Sequence, residues 1–342
     1  MKQYLLIFVC LFIGIGIAKS QENIKQNVSI MFYNVENLFD TKDDPHTNDN
    51  DFLPSSKRHW TNDKLEKKLK NIGKVIYSTG IEPPMIIGIA EIENEKVINQ
   101  LITQTGLMKF HYKIIHKDSP DPRGIDVIMI YRSDLCSLIK YNYINVSNIG
   151  NNDLRTRDIL YSIIKTNNND TLHIFFNHWP SRIGGIKSEQ KRIYVAKILR
   201  TKIDSVIHKN IRAKIIIMGD FNDEPDNISI IKYLNTIDDY KKLQWNQLIN
   251  LSYEWLKDVS WKGTYKYKGK WSIFDQIIVS KAFFDDSNKK TKIKSAKIHF
   301  PSFILIKDTR NTGYAPFKTY NGINYLGGYS DHIPILLLLE LN

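Results

Sequence analysis

The chain has 342 residues, of which 42% are hydrophobic and 25% are charged. This balance is typical of a globular protein and excludes a disordered, fibrous or multi-pass membrane chain. The 48 Lys and Arg residues outnumber the 36 Asp and Glu residues and give a formal net charge of +12. Nucleic acid, a phosphoinositide or an anionic membrane surface could bind such a chain, although a lysine-rich surface is often only solvated.

The N-terminal segment has the pattern of an export signal. A lysine is followed by the apolar run Leu5 to Ile17 and then by small residues. This run is too short for a comfortable membrane span, which needs about 20 apolar residues. We therefore predict a cleaved signal peptide over residues 1–20, a secreted or periplasmic location, and a single domain over residues 21–342. After cleavage Cys136 is the one remaining cysteine, so no intramolecular disulfide is expected.

Beyond the signal, apolar runs of strand length alternate with helical patterns. The predicted strands are Val28–Asn34, Met85–Ala90, Tyr112–Ile115, Ile125–Tyr131, Ile159–Lys165, His173–His178, Ile215–Gly219, Ile273–Val279 and Ile333–Glu340. The predicted helices are Asn62–Ser78, Asn94–Thr103, Lys187–Ile207 and Asn227–Leu234. Many strands with few helices favour an α/β fold in which two mixed β-sheets pack face to face with helices outside. The predicted architecture is therefore a four-layer α/β sandwich.

Acidic and amide side chains follow two of the most apolar strands. One strand runs into Gly219 and then Asp220 and Asn222, which share a face if the chain stays extended, although an Asx turn would also account for them. Another strand runs directly into Glu91. A carboxylate at the end of a buried strand needs a cation or a charged partner. We therefore predict a metal at Glu91, and a helix-capping role for Glu93.

Two histidines also lie at strand ends. His332 precedes the last predicted strand and is a candidate general base if a second carboxylate, such as Asp275, orients its ring. His178 ends another strand and leads into a basic segment with Arg182 and Gly184-Gly185 before a long helix. Arginine and helix N-terminal amides suit a phosphate group. A structural histidine or a simple turn would explain each feature separately. Because several strands end at such polar residues, a chance occurrence at all of them is harder to sustain.

The polar strand ends occur in a characteristic order, namely Asn34, Glu91, His178, Asp220-x-Asn222, Asp275 and Ser330-Asp331-His332. This ordered set resembles the endonuclease/exonuclease/phosphatase superfamily, whose members resemble DNase I. The segments Arg123–Asp126 and Asn177–Arg182 are similar to its secreted bacterial nuclease-like branch. The resemblance implies a two-sheet sandwich and metal-dependent hydrolysis of a phosphodiester or phosphomonoester.

The resemblance also implies a metal site. Glu91 would bind Mg²⁺, with Mn²⁺ or Ca²⁺ as alternatives, and Asn34 and Asp331 would lie near the same ion. Several members of the superfamily carry Asp where this chain has Glu36, which puts a second metal there in doubt. The implied phosphate-binding residues are Asn34, Arg182 and Asn222.

The implied catalytic residues are His178, Asp220, Asn222, Asp275 and His332. His332, oriented by Asp275, would activate the water or stabilise the negative phosphoryl transition state. Asp220 and Asn222 would position the nucleophile and the phosphate. His178 would contact the phosphate or protonate the leaving oxygen. Phosphoryl transfer depends mainly on charge neutralisation and in-line positioning, which these residue types can supply.

Two further segments allow alternative interpretations. The loop with Asp43, Asp44 and Asp49 could hold a structural Ca²⁺ through oxygen ligands, but such a run is more often a solvated loop. The stretch Trp261–Trp271 interleaves aromatic and basic residues, as expected for a surface that stacks bases and binds phosphates. A β-hairpin with an amphipathic face would give the same pattern.

The leading functional prediction is a secreted, monomeric, metal-dependent phosphodiesterase, an endonuclease acting on DNA or RNA, with no protein partner implied. The first alternative is a phosphatase or phospholipase-type hydrolase of a phosphoinositide or sphingomyelin. The second is a catalytically inactive binding protein with the same fold. An exposed apolar hairpin beside the cleft would favour a lipid phosphodiester, whereas a basic groove would favour nucleic acid.

Overall fold

The computed structural model describes residues 25–147, 154–257, 263–285, 287 and 289–342. The predicted signal peptide and Trp261 lie outside the described residues. Within the described ranges, no helix has the length and apolar character needed to cross a membrane.

Strands dominate the described part of the chain. The strands are β1 (Gln26–Leu38), β2 (Ile86–Ile92), β3 (Tyr112–Ile115), β4 (Asp126–Arg132), β5 (Cys136–Ile144), β6 (Ile159–Thr166), β7 (Thr171–His178), β8 (Lys214–Asp220), β9 (Thr236–Ile237), β10 (Leu248–Asn250), β11 (Tyr265–Tyr267), β12 (Lys270–Ser272), β13 (Asp275–Ser280), β14 (Thr291–Ile298), β15 (Leu305–Lys307), β16 (Tyr314–Pro316), β17 (Tyr320–Asn321), β18 (Asn324–Tyr325) and β19 (Ile335–Leu341). The α-helices are α1 (Asn62–Tyr77), α2 (Glu95–Gln104), α3 (Ile186–Lys209) and α4 (Tyr253–Lys257).

Two large mixed sheets form the body of the molecule. The first has the strand order β14-β19-β1-β2-β4-β3, and the second has the order β5-β6-β7-β8-β13-β10-β9. Within them β1 pairs with β2, and β7 with β8, in parallel. Helices α1 and α2 pack outside the first sheet, and α3 packs outside the second. The predicted four-layer α/β sandwich is confirmed.

The inner faces of the two sheets share one hydrophobic core. Phe32 of the first sheet stacks on Phe176 of the second, with ring centroids 6.1 Å apart. Gly88 lies under the same Phe176 ring, and any Cβ at this position would collide with it. The absence of a side chain at Gly88 therefore allows the two sheets to approach, and the facing strands are apolar on both sides as expected for a buried layer.

A second cluster lies on the outer face of the seven-stranded sheet. Leu199 and Ile203 of α3 pack there with Phe175 and Ile217, all of them inaccessible to solvent. Burying apolar surface on both faces of β7 and β8 fixes these strands rigidly. The two strands can therefore hold polar side chains at their ends in defined positions.

Some predicted elements differ from the structure. The predicted helix Asn227–Leu234 is a short π-helical turn over Ser229–Tyr233. Strands β5 and β14 were not predicted because both are edge strands with exposed polar residues and little apolar alternation. The capping role predicted for Glu93 is wrong: Asn94 caps α2 by accepting from the Val97 amide at 3.0 Å.

Candidate active site

The predicted site residues meet at one edge of the sandwich, where β1, β2, β7 and β8 end and β13 begins. They border a cleft of about 630 Å³. Those that line it are Glu91, His178, Arg182, Asp220, Asn222, Asp331 and His332. Asn34 and Asp275 are buried behind the lining and contact it. Residues separated by nearly 300 positions thus converge on one site.

Asn34 connects the two sheets at the floor of the cleft. Its Nδ2 donates to Glu91 Oε1 at 3.2 Å and to Asp220 Oδ2 at 3.1 Å. Its Oδ1 accepts from the Glu36 amide at 3.1 Å. The side chain is fully buried, so Asn34 holds two carboxylates from different sheets in place.

Glu91 lies at an irregularity of β2. Its φ is 65°, in the left-handed region, and the pairing of β2 shifts register between Ala90 and Ile92. The bulge directs the carboxylate toward the cleft, where Oε2 also accepts from the Asn37 amide at 2.9 Å. Left-handed backbone at a non-glycine residue is costly and concentrates at functional sites. The position of the Glu91 carboxylate is therefore set both by the end of β2 and by the left-handed backbone at this residue.

His332 and Asp275 form a hydrogen-bonded pair. His332 Nδ1 lies 2.7 Å from Asp275 Oδ2, and Nε2 lies 3.6 Å from Asp220 Oδ2. The ring rests against Tyr265 with centroids 4.8 Å apart. Ser330 Oγ donates to the Asn34 carbonyl and accepts from the His332 amide, which fixes the start of this segment. The imidazole consequently presents Nε2 to the cleft.

Buried charge shifts the titration of the central groups. Burial, then the charge of Glu36, raises the pKa of Asp331 to about 7. Burial also raises the pKa of Asp220 to about 6, against the lowering effect of His332. Burial lowers the pKa of His332, but Asp275 and Asp220 outweigh it and hold that pKa well above the ordinary value. Burial is therefore the largest influence on all three groups, and at His332 the neighbouring carboxylates outweigh it.

His178 and Asn222 complete the floor on the side of the second sheet. His178 Nε2 lies 3.5 Å from Asp220 Oδ2 and 3.8 Å from Glu91 Oε1. Burial, then the charges of two nearby arginines, lowers the pKa of His178 well below its ordinary value, so the ring is neutral. Asn222 has a left-handed φ of 52°, and its Nδ2 donates to the Trp179 carbonyl at 3.0 Å. The chain therefore does not stay extended after Asp220.

Arg182 lies at the rim rather than at the floor. Its Nη2 donates to Asn227 Oδ1 at 2.5 Å and lies 3.4 Å from Asp223 Oδ1. Its guanidinium stands over the Phe274 ring, 5.2 Å from the centroid. These contacts hold the positive charge beside the cleft, and the phosphate-binding role of Arg182 stays a prediction.

Two cleft arginines were not predicted as site residues. Arg157 is buried and donates to Asp121 Oδ2 at 2.8 Å and to the Trp179 carbonyl at 2.6 Å. Arg123 donates to Asp121 Oδ1 at 3.1 Å and is half-exposed. One carboxylate thus aims two guanidinium groups into the cleft. The Arg123–Asp126 motif was a sequence signal for Arg123, whereas the sequence around Arg157 contained no such signal.

The other predicted carboxylates have structural partners. Glu36 accepts from the amides of Thr319 at 2.6 Å and Tyr320 at 3.2 Å and lies 3.9 Å from Lys68 Nζ. In the acidic loop, Asp44 Oδ1 accepts from the His46 amide and Asp49 Oδ2 from the Asp44 amide. The calcium hypothesis for this loop stays a prediction.

The floor of the cleft suits a hard divalent cation. Glu91, Asp220 and Asp331 supply carboxylate oxygens without an arginine or lysine bonded to any of them in the described ranges. Burial is the largest cause of the raised pKa values of Asp220 and Asp331, and a bound cation would favour the charged form of both groups. Oxygen ligands of this kind are those preferred by Mg²⁺ and Ca²⁺. A separate group at His116, Asp118 and Asp126, away from the cleft, is the one among the described residues whose ligand atoms all lie within 4.8 Å of one another.

The family of the chain follows from its sequence profile. The model of the endonuclease/exonuclease/phosphatase family matches residues 29–341, and the chain belongs to this family. Its members hydrolyse phosphoric esters and generally depend on divalent metals. No curated protein sequence matches the chain significantly.

Solved structures share the fold at low sequence identity. The mannosyl-6-phosphatase Bt3783 of Bacteroides thetaiotaomicron is 16% identical with a TM-score of 0.58, covering 91% of this chain and 99% of its own. TDP2 of D. rerio, complexed with single-strand DNA product, is 13% identical with a TM-score of 0.57, covering 92% and 98%. The human Nocturnin catalytic domain is 14% identical with a TM-score of 0.56, covering 92% and 94%. At these identities the likeness extends to the fold alone.

Proposed function

We propose that the protein is a divalent-metal-dependent phosphodiesterase that hydrolyses DNA or RNA. The observation that carries this proposal is the composition of the cleft walls around the carboxylate and histidine floor. Arg123 and Arg157 lie on the lining beside Glu91, and the exposed ring of Tyr267 lies on the same lining. A phosphate held by guanidinium groups with a base against an aromatic ring describes a nucleotide unit.

Glu91 and Asp331 would hold the cation, with Asn34 keeping Glu91 in place beside Asp220. When bound, a divalent cation neutralises charge on the phosphoryl group and on the departing oxygen. Asn34 acts on the site through the carboxylates that it bridges. Arg123 and Arg157 add positive charge at the cleft wall.

The protein's own groups handle the proton. As water forms a bond to phosphorus and the bond to the leaving oxygen breaks, the water proton passes to Asp220, while His332 Nε2, 3.6 Å from Asp220 Oδ2, stabilises the negative charge on the phosphoryl group. Asp275 fixes the ring and balances its charge. His178, which burial keeps neutral, donates a hydrogen bond to the phosphate, and Asn222 orients the phosphate beside it.

Nucleic acid is favoured over lipid by the hairpin β11–β12 at the cleft edge. It carries Lys266, Lys268 and Lys270 and an exposed tyrosine, so it is basic rather than apolar. A lipid hydrolase would need an exposed apolar surface to reach a bilayer. The TDP2 structure of this fold, complexed with single-strand DNA product, supports a nucleic-acid substrate.

The test is hydrolysis by the purified mature protein of plasmid DNA, RNA and lipid phosphodiesters, with and without EDTA. We expect cleavage of nucleic acid that EDTA abolishes and Mg²⁺ or Mn²⁺ restores. Turnover of sphingomyelin or a phosphoinositide without nucleic-acid cleavage would reverse the assignment. Release of phosphate from a sugar phosphate alone would make the protein a phosphomonoesterase.

The metal assignment predicts the behaviour of Glu91→Gln, which removes the charge and keeps the size. Activity at low Mg²⁺ should collapse, with partial rescue at high Mg²⁺, because the remaining ligands bind the ion more weakly. Glu95→Gln, an exposed change at the start of α2, is the matched control and should leave the Mg²⁺ dependence unchanged. An unaltered Mg²⁺ titration for Glu91→Gln would remove this residue from the metal site.

We also propose that residues 1–20 direct export. The apolar run followed by small residues supports this. Expression with a C-terminal tag and mass measurement of the exported protein should show a chain that begins near residue 21. Retention of the full-length protein in the cytoplasm would contradict it.

A further inference from the structure

A second groove begins where the catalytic cleft ends. It has a volume of about 700 Å³ and lies between the hairpins β11–β12 and β15–β16. Tyr267 and Asp331 line both this groove and the catalytic cleft. The two depressions therefore share a wall, and an elongated ligand can pass from one to the other.

The groove carries uncompensated positive charge. Lys268, Lys307, Arg310 and Lys318 line it, and none of them forms an ion pair with a described residue. The groove contains two acids. Asp308 is neutralised by Lys266 at 2.8 Å, and Asp331 belongs to the catalytic floor. The positive charge of the groove is therefore available to an anionic ligand.

The two hairpins are locked together, so the positive side chains keep their relative positions. Lys266 Nζ donates to Asp308 Oδ2, to the Thr312 carbonyl at 3.2 Å and to the Tyr314 carbonyl at 2.9 Å. Its side chain is 3% exposed, so this lysine serves as a clamp and not as a ligand contact. The turn of β11–β12 also packs against the Asn311 side chain through Gly269, whose φ of 83° lies in the left-handed region that favours glycine.

An aromatic ring stands at the junction of the two depressions. Tyr267 is 61% exposed, and Lys268 Nζ lies 5.4 Å from its ring centroid. An exposed tyrosine beside a cation offers a face on which an unpaired base can stack. In a duplex the base faces are already covered, so a single strand gains more from this ring.

We propose that the groove between these hairpins binds the backbone phosphates of a single-stranded nucleic acid whose scissile phosphate occupies the catalytic cleft. This inference rests on the proposed function and adds that the preferred substrate is a polymer which extends past Tyr267, rather than a nucleotide or a sugar phosphate. Solvated lysines would show the same charge but would not align along a groove continuous with the site.

The test compares two charge-matched triple variants. The groove variant carries Lys268→Gln, Lys307→Gln and Arg310→Gln. The control variant carries Lys140→Gln, Lys202→Gln and Lys209→Gln, which line a separate basic cavity of about 410 Å³ beside α3. Both variants have three fewer positive charges, so they separate a local role from an effect of net charge. Circular dichroism and the thermal midpoint establish that both are folded.

Binding is measured by fluorescence anisotropy of a labelled oligodeoxythymidylate in EDTA, and turnover is measured on the same oligonucleotide and on thymidine 5′-p-nitrophenyl phosphate. For the groove variant we expect Kd and KM for the oligonucleotide to rise on the order of tenfold at low salt. The slope of log Kd against log salt should fall by about 2, because each of the three substituted cations contributes about 0.7 through the phosphate that it neutralises. Turnover of the small ester should not change, because it does not reach the groove.

The outcomes separate the two proposals. If the wild-type protein hydrolyses the small ester and binds no oligonucleotide, the proposed nuclease function fails and the groove proposal fails with it. If the oligonucleotide is cleaved but the groove variant matches the control variant, the nuclease function stands and the groove proposal is wrong. Binding of duplex DNA as tight as that of the single strand, and equally sensitive to the groove variant, would overturn the single-strand assignment.

Discussion

Strands β7 and β8 carry buried charged residues at both ends, and the two ends differ in how those charges are satisfied. At the start of the strands, Lys214 Nζ lies 2.6 Å from Asp170 Oδ2 and also donates to the Thr291 carbonyl at 2.9 Å. At the other end, His178 and Asp220 lie side by side in the catalytic cleft, and His178 Nδ1 is buried with no partner among the described residues.

The difference distinguishes a structural from a functional use of the same chemistry. The first end pairs one positive group with one negative group, so its charges stabilise the fold that contains them. The second end borders the cleft, where the carboxyl groups of Asp220 and Asp331 have raised pKa values. The backbone at Glu91 and Asn222, beside them, is left-handed. Such local costs persist where a ligand or transition state will use them.

The largest effect that tests this comparison is catalytic. His332→Ala should lower kcat on the order of 10²–10³ fold, because it removes the positive imidazole that stabilises the negative charge of the phosphoryl transition state. Asp275→Asn should also be severe, because the ring loses its orienting partner and its counter-charge. The double variant should be little worse than His332→Ala, since the two residues act as one unit.

Steady-state kinetics of the double-mutant cycle, with circular dichroism of each variant, measure this coupling. His299→Ala is a matched control, because His299 is hydrogen-bonded to Ser78 away from the cleft and should leave kcat unchanged. Multiplicative losses in the cycle would show that His332 and Asp275 act separately.

The second effect concerns stability at the opposite end of the strands. Lys214→Met should lower the free energy of unfolding by about 3–5 kcal/mol, because it leaves Asp170 buried without its cation. Urea denaturation measures the change, with Lys165→Met on exposed surface of β6 as the control. A decrease in the free energy of unfolding below about 1 kcal/mol would mean that this ion pair contributes no more than an exposed surface ion pair. The kcat of the folded variant should stay close to that of the wild type.

The smallest expected effect is on the pH dependence of stability, and it concerns His173, a second histidine on β7. Burial, then Lys202, lowers the pKa of His173 to about 4, and its Nδ1 lies 2.8 Å from the Tyr161 hydroxyl. In the unfolded chain the pKa of histidine is about 6.5. Between these values the unfolded state binds the proton and the folded state does not, so the stability contribution of His173 is lost as pH falls from about 6.5 to about 4.

His173→Gln should therefore reduce the acid sensitivity of the thermal midpoint in that pH window. His208→Gln, an exposed change at the end of α3, is the control and should not alter it. If His173→Gln follows the same acid dependence as the wild type, the histidine does not remain neutral in the folded protein.

The sequence predicted much of the framework because its signals were local. Apolar runs marked the central strands from Ile30 to Leu339, since a strand buried on both faces must be apolar throughout. Abrupt polar residues at the ends of those runs marked Glu91, Asp220 and His332 as candidates. The edge strands β5 and β14 were not predicted from the sequence, because exposed strands have no such apolar run.

Only the tertiary structure decided how the candidates are oriented. The bridge from Asn34 to Glu91 and Asp220, and the aiming of Arg157 by Asp121, depend on contacts between segments far apart in sequence. The basic groove likewise arises where the Lys266 clamp joins two separate hairpins. The sequence by itself determined which residues end the buried strands, because burial excludes polar side chains. The packing of the two sheets determined which of these residues meet, because side-chain direction at bulges and turns is set by long-range contacts.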